Sequence, residues 1–278
     1  MAAESGAEVL GEAALSLRSQ GRIVLCQIVR AEGSTPGKVG WKLLARPDGT
    51  FCGNLGGGAF EAMVKADAQR LLAAGPGALA AAPEVKRYYL TEQAVRGEAT
   101  GMVCGGMVEV FLEVIAAAPV LVICGGGPVG QALAQAAGLA GFEPLVADDR
   151  QPFRDPGLFP AGTRLAAVDR DYSQDFLAAV ERRELYVTVV SRCWETDTSA
   201  LAAVLRQAPP HLCYLGLMGS RRKVARVREE LARRGVELSA TSLRAPIGLP
   251  IGGNSPGEIA ISILAEVIGT RYESSRSA

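Results

Sequence analysis

The sequence is poor in the residues that build metal sites and membrane spans. It contains a single histidine, His211, which excludes sites that need several imidazoles and leaves at most one for acid–base catalysis. Its six cysteines include no CxxC pair and none at zinc-ligand spacing, so free thiols of a reducing compartment are expected. No apolar stretch approaches the roughly 18 residues that a membrane-spanning helix needs. We therefore predict no metal site and no membrane association.

Net charge is also absent, because 29 Lys and Arg residues balance 29 Asp and Glu residues. A neutral chain lacks the general attraction to phosphates that holds most nucleic-acid-binding proteins, so no nucleic-acid partner is expected. The opening MAAESGAEVL carries acidic residues where a secretory signal has basic ones, which favours a cytoplasmic location. Cys26, Cys124 and Cys213 lie in apolar runs and are predicted to be core residues.

The patterning predicts two domains. Residues 1–116 contain short strand-like runs, a hairpin over 41–55 and a helix over 56–72, which indicates a small N-terminal α+β domain. From residue 119 strand-like runs alternate with helix-like segments, including 174–183, 197–207 and 220–234. This alternation predicts a Rossmann-like, doubly wound parallel sheet over 119–278. A final helix is indicated by the capping box of Ser255 and Glu258.

The sharpest local signal is a G-x-G-x-x-G sequence formed by Gly125, Gly127 and Gly130. It follows a strand, opens a helix and is followed by Asp148 after the next strand, which is the setting of a dinucleotide-binding loop. The sequence therefore predicts a phosphate site here, with NAD(P) as a candidate ligand. The alternative is a tight turn that only connects the strand to the helix.

Two further loops are expected at the carboxyl end of the sheet, where such folds bind ligands. Arg192 follows the fourth strand of the domain and is suited to bind an oxoanion, with Trp194 beside it to stack on a flat ring. The fifth strand is followed by Gly219, Ser220, Arg221, Arg222 and Lys223, whose three cations beside a helix start are suited to bind an anion. Each loop also has a simpler interpretation, a capped helix start or a solvated basic face.

Glycine clusters mark the first domain as well. Gly56, Gly57 and Gly58 precede a helix and could expose several backbone N–H groups to an anion, with Glu61 one turn further on. Cys104, Gly105 and Gly106 place a thiol in a glycine loop, where backbone amides could activate it. Cys104 is the candidate catalytic or sulfur-contacting residue, unless it is merely a small loop residue.

Six segments follow one another between about residues 20 and 270: EGSTPGKVG, GNLGGGAFEA, MVCGGMVEVFLE, CGGGPVGQALA, GLMGSRRK and APIGLPIGGNSPGEIAISILAEVI. In this order they resemble the XdhC/CoxI family of xanthine dehydrogenase accessory factors. The family pattern implies an N-terminal XdhC/CoxI domain followed by a Rossmann domain.

The resemblance implies a molybdenum cofactor-binding chaperone that supports sulfuration of the cofactor and its insertion into a molybdenum hydroxylase, of the xanthine dehydrogenase or aldehyde oxidoreductase type. It implies molybdopterin as cargo, and as partners the target hydroxylase, a cysteine desulfurase and a second copy of the chain. It also places Arg150 in the Rossmann fingerprint, and it adds Gly33, Ser34 and Pro36 to the first-domain motifs.

Three positions depart from the family pattern. Ala59 stands where a cysteine often follows the glycine triplet, and Gly37 stands where a basic residue is common. Trp194 stands where the family usually has histidine. Because Ala59 is not a cysteine, Cys104 is the better thiol candidate. Because Trp194 is not a histidine, the expected ligand-binding crevice at the carboxyl end of the sheet lacks a titratable group at this position.

Two other functions stay open at this level. The first is an NAD(P)-dependent oxidoreductase acting on a small substrate, although the sequence lacks a Tyr-x-x-x-Lys arrangement and His211 lies away from the expected crevice. The second is a docking scaffold without a ligand. The preferred interpretation is a maturation chaperone rather than a turnover enzyme.

Overall fold

The computed structural model of the chain describes residues 5–73, 83–90, 98–99, 105–180, 182–207, 209, 211–236 and 243–276. The chain divides into two compact units, Met1–Ala117 (unit 1) and Ala118–Ala278 (unit 2). The division falls in the AAAP stretch at 116–119.

Unit 1 contains a six-stranded sheet in the order β3-β2-β1-β6-β4-β5. All strand pairs in it are antiparallel except the β4–β5 pair. The strands are β1 (Arg22–Glu32), β2 (Lys42–Ala45), β3 (Phe51–Gly53), β4 (Glu84–Tyr89), β5 (Glu98–Ala99) and β6 (Met107–Ala116). The predicted hairpin is the β2–β3 pair, and the predicted helix is α2 (Gly58–Ala73).

A second helix of unit 1, α1 (Gly6–Gln20), is absent from the sequence prediction. Ser5 caps it and forms a reciprocal capping box with Glu8, and Gly21 ends it in a left-handed conformation. Alternation along β1 explains the packing, because Ile23 contacts the α1 side of the sheet and Val24 the α2 side. The two helices therefore cover opposite faces.

Unit 2 contains a six-stranded parallel sheet in the order β12-β11-β10-β7-β8-β9. The strands are β7 (Val120–Cys124), β8 (Glu143–Asp148), β9 (Arg164–Ala167), β10 (Leu185–Val189), β11 (Leu212–Leu217) and β12 (Leu243–Arg244). The helices are α3 (Pro128–Leu139), α4 (Trp194–Gln207), α5 (Arg221–Arg233) and α6 (Pro256–Arg276). The predicted doubly wound architecture is confirmed, with the strand order reversing between β7 and β10.

Two apolar layers sandwich this sheet. Helices α3 and α6 share one core with Leu121 and Ile123 of β7, whereas α4 and α5 pack on the other face with Val120 and Val122. Because every residue of β7 and β10 is buried, both strands are continuous apolar runs rather than alternating ones.

The predicted helix over 174–183 is wrong. The only helical turn described there is a 3₁₀ turn, Ala178–Val180. Just before this range, the carboxylate of Asp169 accepts hydrogen bonds from the backbone N–H and the hydroxyl of Ser173, which folds residues 169–173 into a turn. Short 3₁₀ helices also follow β8, at Gln151–Arg154 and Pro156–Leu158.

The cysteine predictions hold in part. Cys26 and Cys124 are fully buried, and burial raises the pKa of the Cys26 thiol to about 12. Cys213 is only partly buried, because it lies at the start of β11, where its thiol donates to the carbonyl of His211. His211 immediately precedes β11 and so lies at the amino end of the sheet, away from the ligand crevice, as predicted.

Candidate functional site

The glycine fingerprint of unit 2 forms the turn between β7 and α3. A side chain at Gly130 would place its Cβ 1.9 Å from the carbonyl oxygen of Gly125, and one at Gly125 would meet the carbonyl of Val190 at 2.9 Å. These two glycines are therefore required for the close packing of loop, helix and neighbouring strand. A Cβ at Gly127 would meet nothing within 4 Å. Gly127 is thus the fingerprint glycine that faces open space.

Asp148, at the end of β8, is fully engaged by its own chain. One carboxylate oxygen accepts from the backbone N–H of Gly126 at 2.7 Å and from Nη2 of Arg150 at 2.9 Å. The other accepts from the backbone N–H and Nε of Arg150 at 2.8 and 3.0 Å. Burial by itself raises the pKa of Asp148, but these hydrogen bonds outweigh it and hold the pKa below its usual value.

Arg150 is held against the glycine loop from the other side. Its guanidinium lies 3.9 Å above the ring of Phe153, and a Cβ at Gly126 would meet the carbonyl of Phe153 at 2.7 Å. The segment after β8 therefore packs directly on the fingerprint. A ribose hydroxyl can reach Asp148 only by displacing one of its four hydrogen bonds.

The loop after β10 contains a buried network. Asp197 is 0% exposed, accepts a hydrogen bond from the hydroxyl of Ser191 at 2.6 Å and forms an ion pair with Lys223. Lys223 also donates to the carbonyl of Met218 at 3.2 Å. Burial raises the pKa of Asp197, and the bonds from Lys223 and Ser191 only partly oppose this effect. The network fixes the ammonium of Lys223 at the carboxyl end of the sheet.

A pocket of about 410 Å³ opens between the loop after β10 and the start of α5 (the basic pocket). Its walls combine four cationic side chains with one indole, one thiol and one hydroxyl. The lining residues are Arg192, Cys193, Trp194, Ser220, Arg222, Lys223 and Arg226. Such a pocket favours an anion, and a flat ring beside it.

The structure brings together the predicted residues Arg192, Ser220 and Lys223 in this pocket, together with Trp194, which was expected to stack on a flat ring. Arg221, also predicted, is exposed and does not line it, whereas Arg222 does. Arg222 belongs to the cationic cluster expected after the fifth strand, whereas Arg226 was missed by the sequence analysis, although its spacing of four residues from Arg222 places both on one face of α5. Whether any of these residues binds a ligand stays a prediction.

The glycine motifs of unit 1 converge through backbone contacts. A Cβ at Gly106 would lie 2.3 Å from the carbonyl of Ser34, and one at Gly56 would lie 2.6 Å from the carbonyl carbon of Pro36. Ser34 also forms an isolated parallel bridge with Gly105. Glycine is thus needed where these turns touch. Cys104 lies outside the described residues, so its predicted role has no structural counterpart here.

In unit 1 the side chain of Glu61 binds to one of the glycine N–H groups that were predicted to bind an external anion. Its buried carboxylate accepts from the backbone N–H groups of Leu55 at 2.9 Å and Gly57 at 3.1 Å, and it pairs with Lys65 at 2.7 Å. Burial raises the pKa of Glu61, but these donors together lower it below its usual value. The N–H of Gly57 is therefore already engaged by a carboxylate of the chain.

Fold and site together define a two-unit α/β protein with a Rossmann-type domain and a basic pocket at the carboxyl end of its parallel sheet. Residues 121–267 match the family model described as the XdhC Rossmann domain, and residues 16–82 match the XdhC and CoxI family. The chain belongs to the XdhC and CoxI family.

Two curated proteins are similar to this chain in sequence. An uncharacterized protein of Escherichia coli (strain K12), YqeB, is 37% identical over 88% of this chain and 42% of its own length. A protein of Bacillus subtilis (strain 168) described as a probable xanthine dehydrogenase subunit is 28% identical over 59% of this chain and 46% of its own length. The chain thus spans less than half the length of each of these curated relatives.

A crystal structure of a protein described as a xanthine dehydrogenase from Bacillus halodurans covers 96% of both chains, with a TM-score of 0.48 and 22% identity. Within the part of the chain that the structure describes, no helix is long and apolar enough to cross a membrane.

Proposed function

We propose that this protein binds the molybdenum cofactor as cargo and supports its sulfuration and insertion into a molybdenum hydroxylase of the xanthine dehydrogenase or aldehyde oxidoreductase type. Family membership supports this role, as does the similarity to a probable component of a xanthine dehydrogenase. The proposed partners are the target hydroxylase, a cysteine desulfurase and a second copy of the chain.

The observation that carries the proposal is the basic pocket. Molybdenum cofactor is a pterin that bears a dithiolene and a phosphate, so its receptor needs cations for the phosphate and a flat surface for the ring. The pocket offers Arg222 and Lys223 for the first and Trp194 with Arg226 for the second. It opens to solvent, which suits a protein that must release its cargo.

An NAD(P)-dependent oxidoreductase is the rival function, and the G-x-G-x-x-G turn in its strand–helix setting favours it. Two features oppose it. Asp148 is already engaged by Gly126 and Arg150, and His211 lies at the amino end of the sheet, where it cannot serve as a proton donor in the crevice. A docking scaffold without a ligand remains the third alternative.

The decisive experiment mixes the purified protein with free molybdenum cofactor, desalts it and measures molybdenum and pterin in the protein fraction. NAD(H) and NADP(H) are tested in parallel. Stoichiometric retention of pterin supports the chaperone. Retention of a nicotinamide alone supports the oxidoreductase, and retention of neither supports the scaffold.

Cys104 is proposed as the thiol that contacts the cofactor or its sulfur. The Cys104→Ser variant should lose cofactor retention or the sulfuration of the target, while its circular dichroism spectrum stays that of the wild type. Unchanged cofactor loading and unchanged activation of the hydroxylase would remove Cys104 from the mechanism. Cys26→Ser is a poor control because Cys26 is buried; the partly exposed Cys213 gives the matched Cys213→Ser control.

A further inference from the structure

We propose that unit 2 carries a further binding site, at the amino end of its parallel sheet, for a small monocarboxylate with an apolar body. A cavity of about 350 Å³ opens there, between the 3₁₀ turn Ala178–Val180 and the chain that enters β11 (the amino-end pocket). It lies at the opposite end of the sheet from the glycine turn and the basic pocket. The proposal does not depend on the proposed function.

The connections that lead into two neighbouring strands form the walls of the amino-end pocket. Leu185 is the first residue of β10, and its backbone N–H donates to the carbonyl of His211, just before β11, at 2.9 Å. In the turn that leads into β10, the N–H of Val180 donates to the carbonyl of Leu177, also at 2.9 Å. All four residues line the pocket, so these two bonds hold its walls in place.

One wall of the pocket is apolar. Leu177, Val180 and Leu185 line it and also belong to the buried core on the α4 and α5 side of the sheet. Aliphatic side chains that face open space lack the dispersion contacts of a close-packed interior. A ligand with an apolar body supplies those contacts and removes its own apolar surface from water.

Two adjacent arginines of the pocket differ in how their charge is balanced. Arg183 donates to the carbonyl of Ala118 at 2.9 Å and to the carboxylate of Glu143 at 2.8 Å. Arg182 is exposed and, among the residues that the structure describes, forms no ion pair. The pocket therefore presents one uncompensated positive charge, which favours a ligand with one negative charge. A guanidinium binds a carboxylate through two parallel hydrogen bonds, so a monocarboxylate fits Arg182.

The size and the lining of the pocket together limit the class of ligand. Small-molecule sites occupy about 300–1,000 Å³, and a volume of about 350 Å³ lies at the lower end of this range. A short apolar body fits such a volume with its carboxylate at the exposed arginine. A nucleotide or a pterin is a poorer match, because its polar ring would find no hydrogen-bond partners on the aliphatic wall.

The only histidine of the chain reports on this pocket directly. His211 lines it, so the imidazole signals in the proton NMR spectrum of the untagged full chain come from this site alone. The protein is titrated at constant pH with hexanoate, with 1-hexanol and with acetate. Hexanoate should shift the His211 signals and bind at least about tenfold more tightly than acetate, because it has the longer apolar body. It should bind about three- to tenfold more tightly than 1-hexanol, because only hexanoate pairs with the exposed Arg182.

Two arginines provide a matched comparison. Arg182→Gln should weaken hexanoate binding by about three- to tenfold and leave 1-hexanol binding within about twofold, because it removes only the charge. Arg206→Gln removes an exposed charge at the end of α4 that does not line the pocket, and it should leave both affinities within about twofold.

A third variant tests the apolar wall. Val180→Phe places a ring in the space that the hexanoate chain would fill and should weaken hexanoate binding by at least about tenfold. Circular dichroism checks that all three variants fold. If Val180→Phe does not fold, the three ligands and the two arginine variants still decide the question.

Four results would each overturn the proposal: no shift of the His211 signals with hexanoate, equal affinities for hexanoate and 1-hexanol, equal affinities for hexanoate and acetate, or equal effects of Arg182→Gln and Arg206→Gln. None of these measurements involves molybdenum cofactor. The amino-end pocket and the proposed function are therefore confirmed or rejected separately.

Discussion

The carboxylate of Asp148 accepts a hydrogen bond from the backbone N–H of Gly126, the second residue of the glycine turn, at 2.7 Å. Unit 1 repeats the relationship, since Glu61 accepts from the N–H of Gly57 at 3.1 Å. In both units a glycine turn of the kind that binds external anions is stabilised by an internal one. Ligand binding at either turn must compete with that carboxylate.

Removing the side chain of Arg150 should free Asp148 for a ribose. In Arg150→Ala the carboxylate loses its two side-chain donors and keeps the two backbone N–H groups of residues 126 and 150. NADH should therefore bind at least about tenfold more tightly than to the wild type, as expected for new hydrogen bonds to a charged group. Isothermal titration calorimetry with NADH measures the change.

Arg154→Ala is the control, because it removes a nearby cation from the 3₁₀ helix that Arg150 precedes. Its NADH affinity should match that of the wild type. Equal NADH affinities for wild type and Arg150→Ala would show that Arg150 is not the obstacle. Binding of NADP(H) by the wild type that is lost in Arg150→Ala would instead assign Arg150 to the phosphate on the ribose.

The stability of unit 2 should depend on the ionisation of Asp148. Because its pKa is lower in the folded state than the usual value near 3.9, the carboxylate stabilises the fold above about pH 4, and this contribution is lost as the pH falls through the folded-state pKa. Asp148→Asn should therefore lower the free energy of unfolding by about 1–3 kcal/mol at pH 7 and by less near pH 3. Urea denaturation at both pH values measures the difference, and exposed Asp175→Asn should show neither effect.

The same substitution should destabilise the protein at one glycine of the fingerprint and leave its stability nearly unchanged at another. Gly130→Val forces a side chain into the carbonyl of Gly125 and should lower the melting temperature, at a cost of about 1–3 kcal/mol or more. Gly127→Val meets no neighbouring atom and should leave the melting temperature within a few degrees. If Gly127→Val is as destabilising as Gly130→Val, the space in front of Gly127 is not open.

Two adjacent arginines separate the family motif, which contains Arg221, from the pocket geometry, which contains Arg222. Arg222→Ala should reduce retention of molybdenum cofactor after desalting by about tenfold, because it removes a charge that lines the pocket. Arg221→Ala removes a neighbouring charge that does not line the pocket and should reduce retention by less than about threefold. A larger loss in Arg221→Ala than in Arg222→Ala would favour the family motif over the pocket geometry.

Most of the fold of unit 2 could be predicted, because only a few chain topologies are compatible with its alternating strands and helices. The strands that follow residue 119 and the intervening helices force right-handed crossovers and hence a parallel sheet. Helix α1 also has a signal in the sequence, the capping-box spacing of Ser5 and Glu8, which the prediction did not use. The false helix over 174–183 arose because its apolar residues have helical spacing, and periodicity does not distinguish a single 3₁₀ turn such as Ala178–Val180 from a longer helix.

The sequence could predict which loops form the candidate site, but not which of their side chains face it. Strand ends placed Arg192, Ser220 and Lys223 at one edge of the sheet, and the structure gathers them in the basic pocket. Which of two adjacent arginines faces that pocket depends on the residue at which α5 begins, and element boundaries are the weakest part of sequence reasoning. The engagement of Asp148 by Arg150 depends on side-chain conformation, which the sequence pattern does not specify.

Helix α6 packs on α3 across a shared core, in which Ala260 and Ile263 lie beside Leu133 and Ala137. The first helix of unit 2 therefore lacks its partner until the last one has been synthesised. On the ribosome, the apolar side of α3 stays uncovered while the intervening strands emerge, and unit 2 completes its core only when α6 leaves the exit tunnel. Truncation before α6 would thus expose a hydrophobic sheet face rather than yield a smaller stable domain.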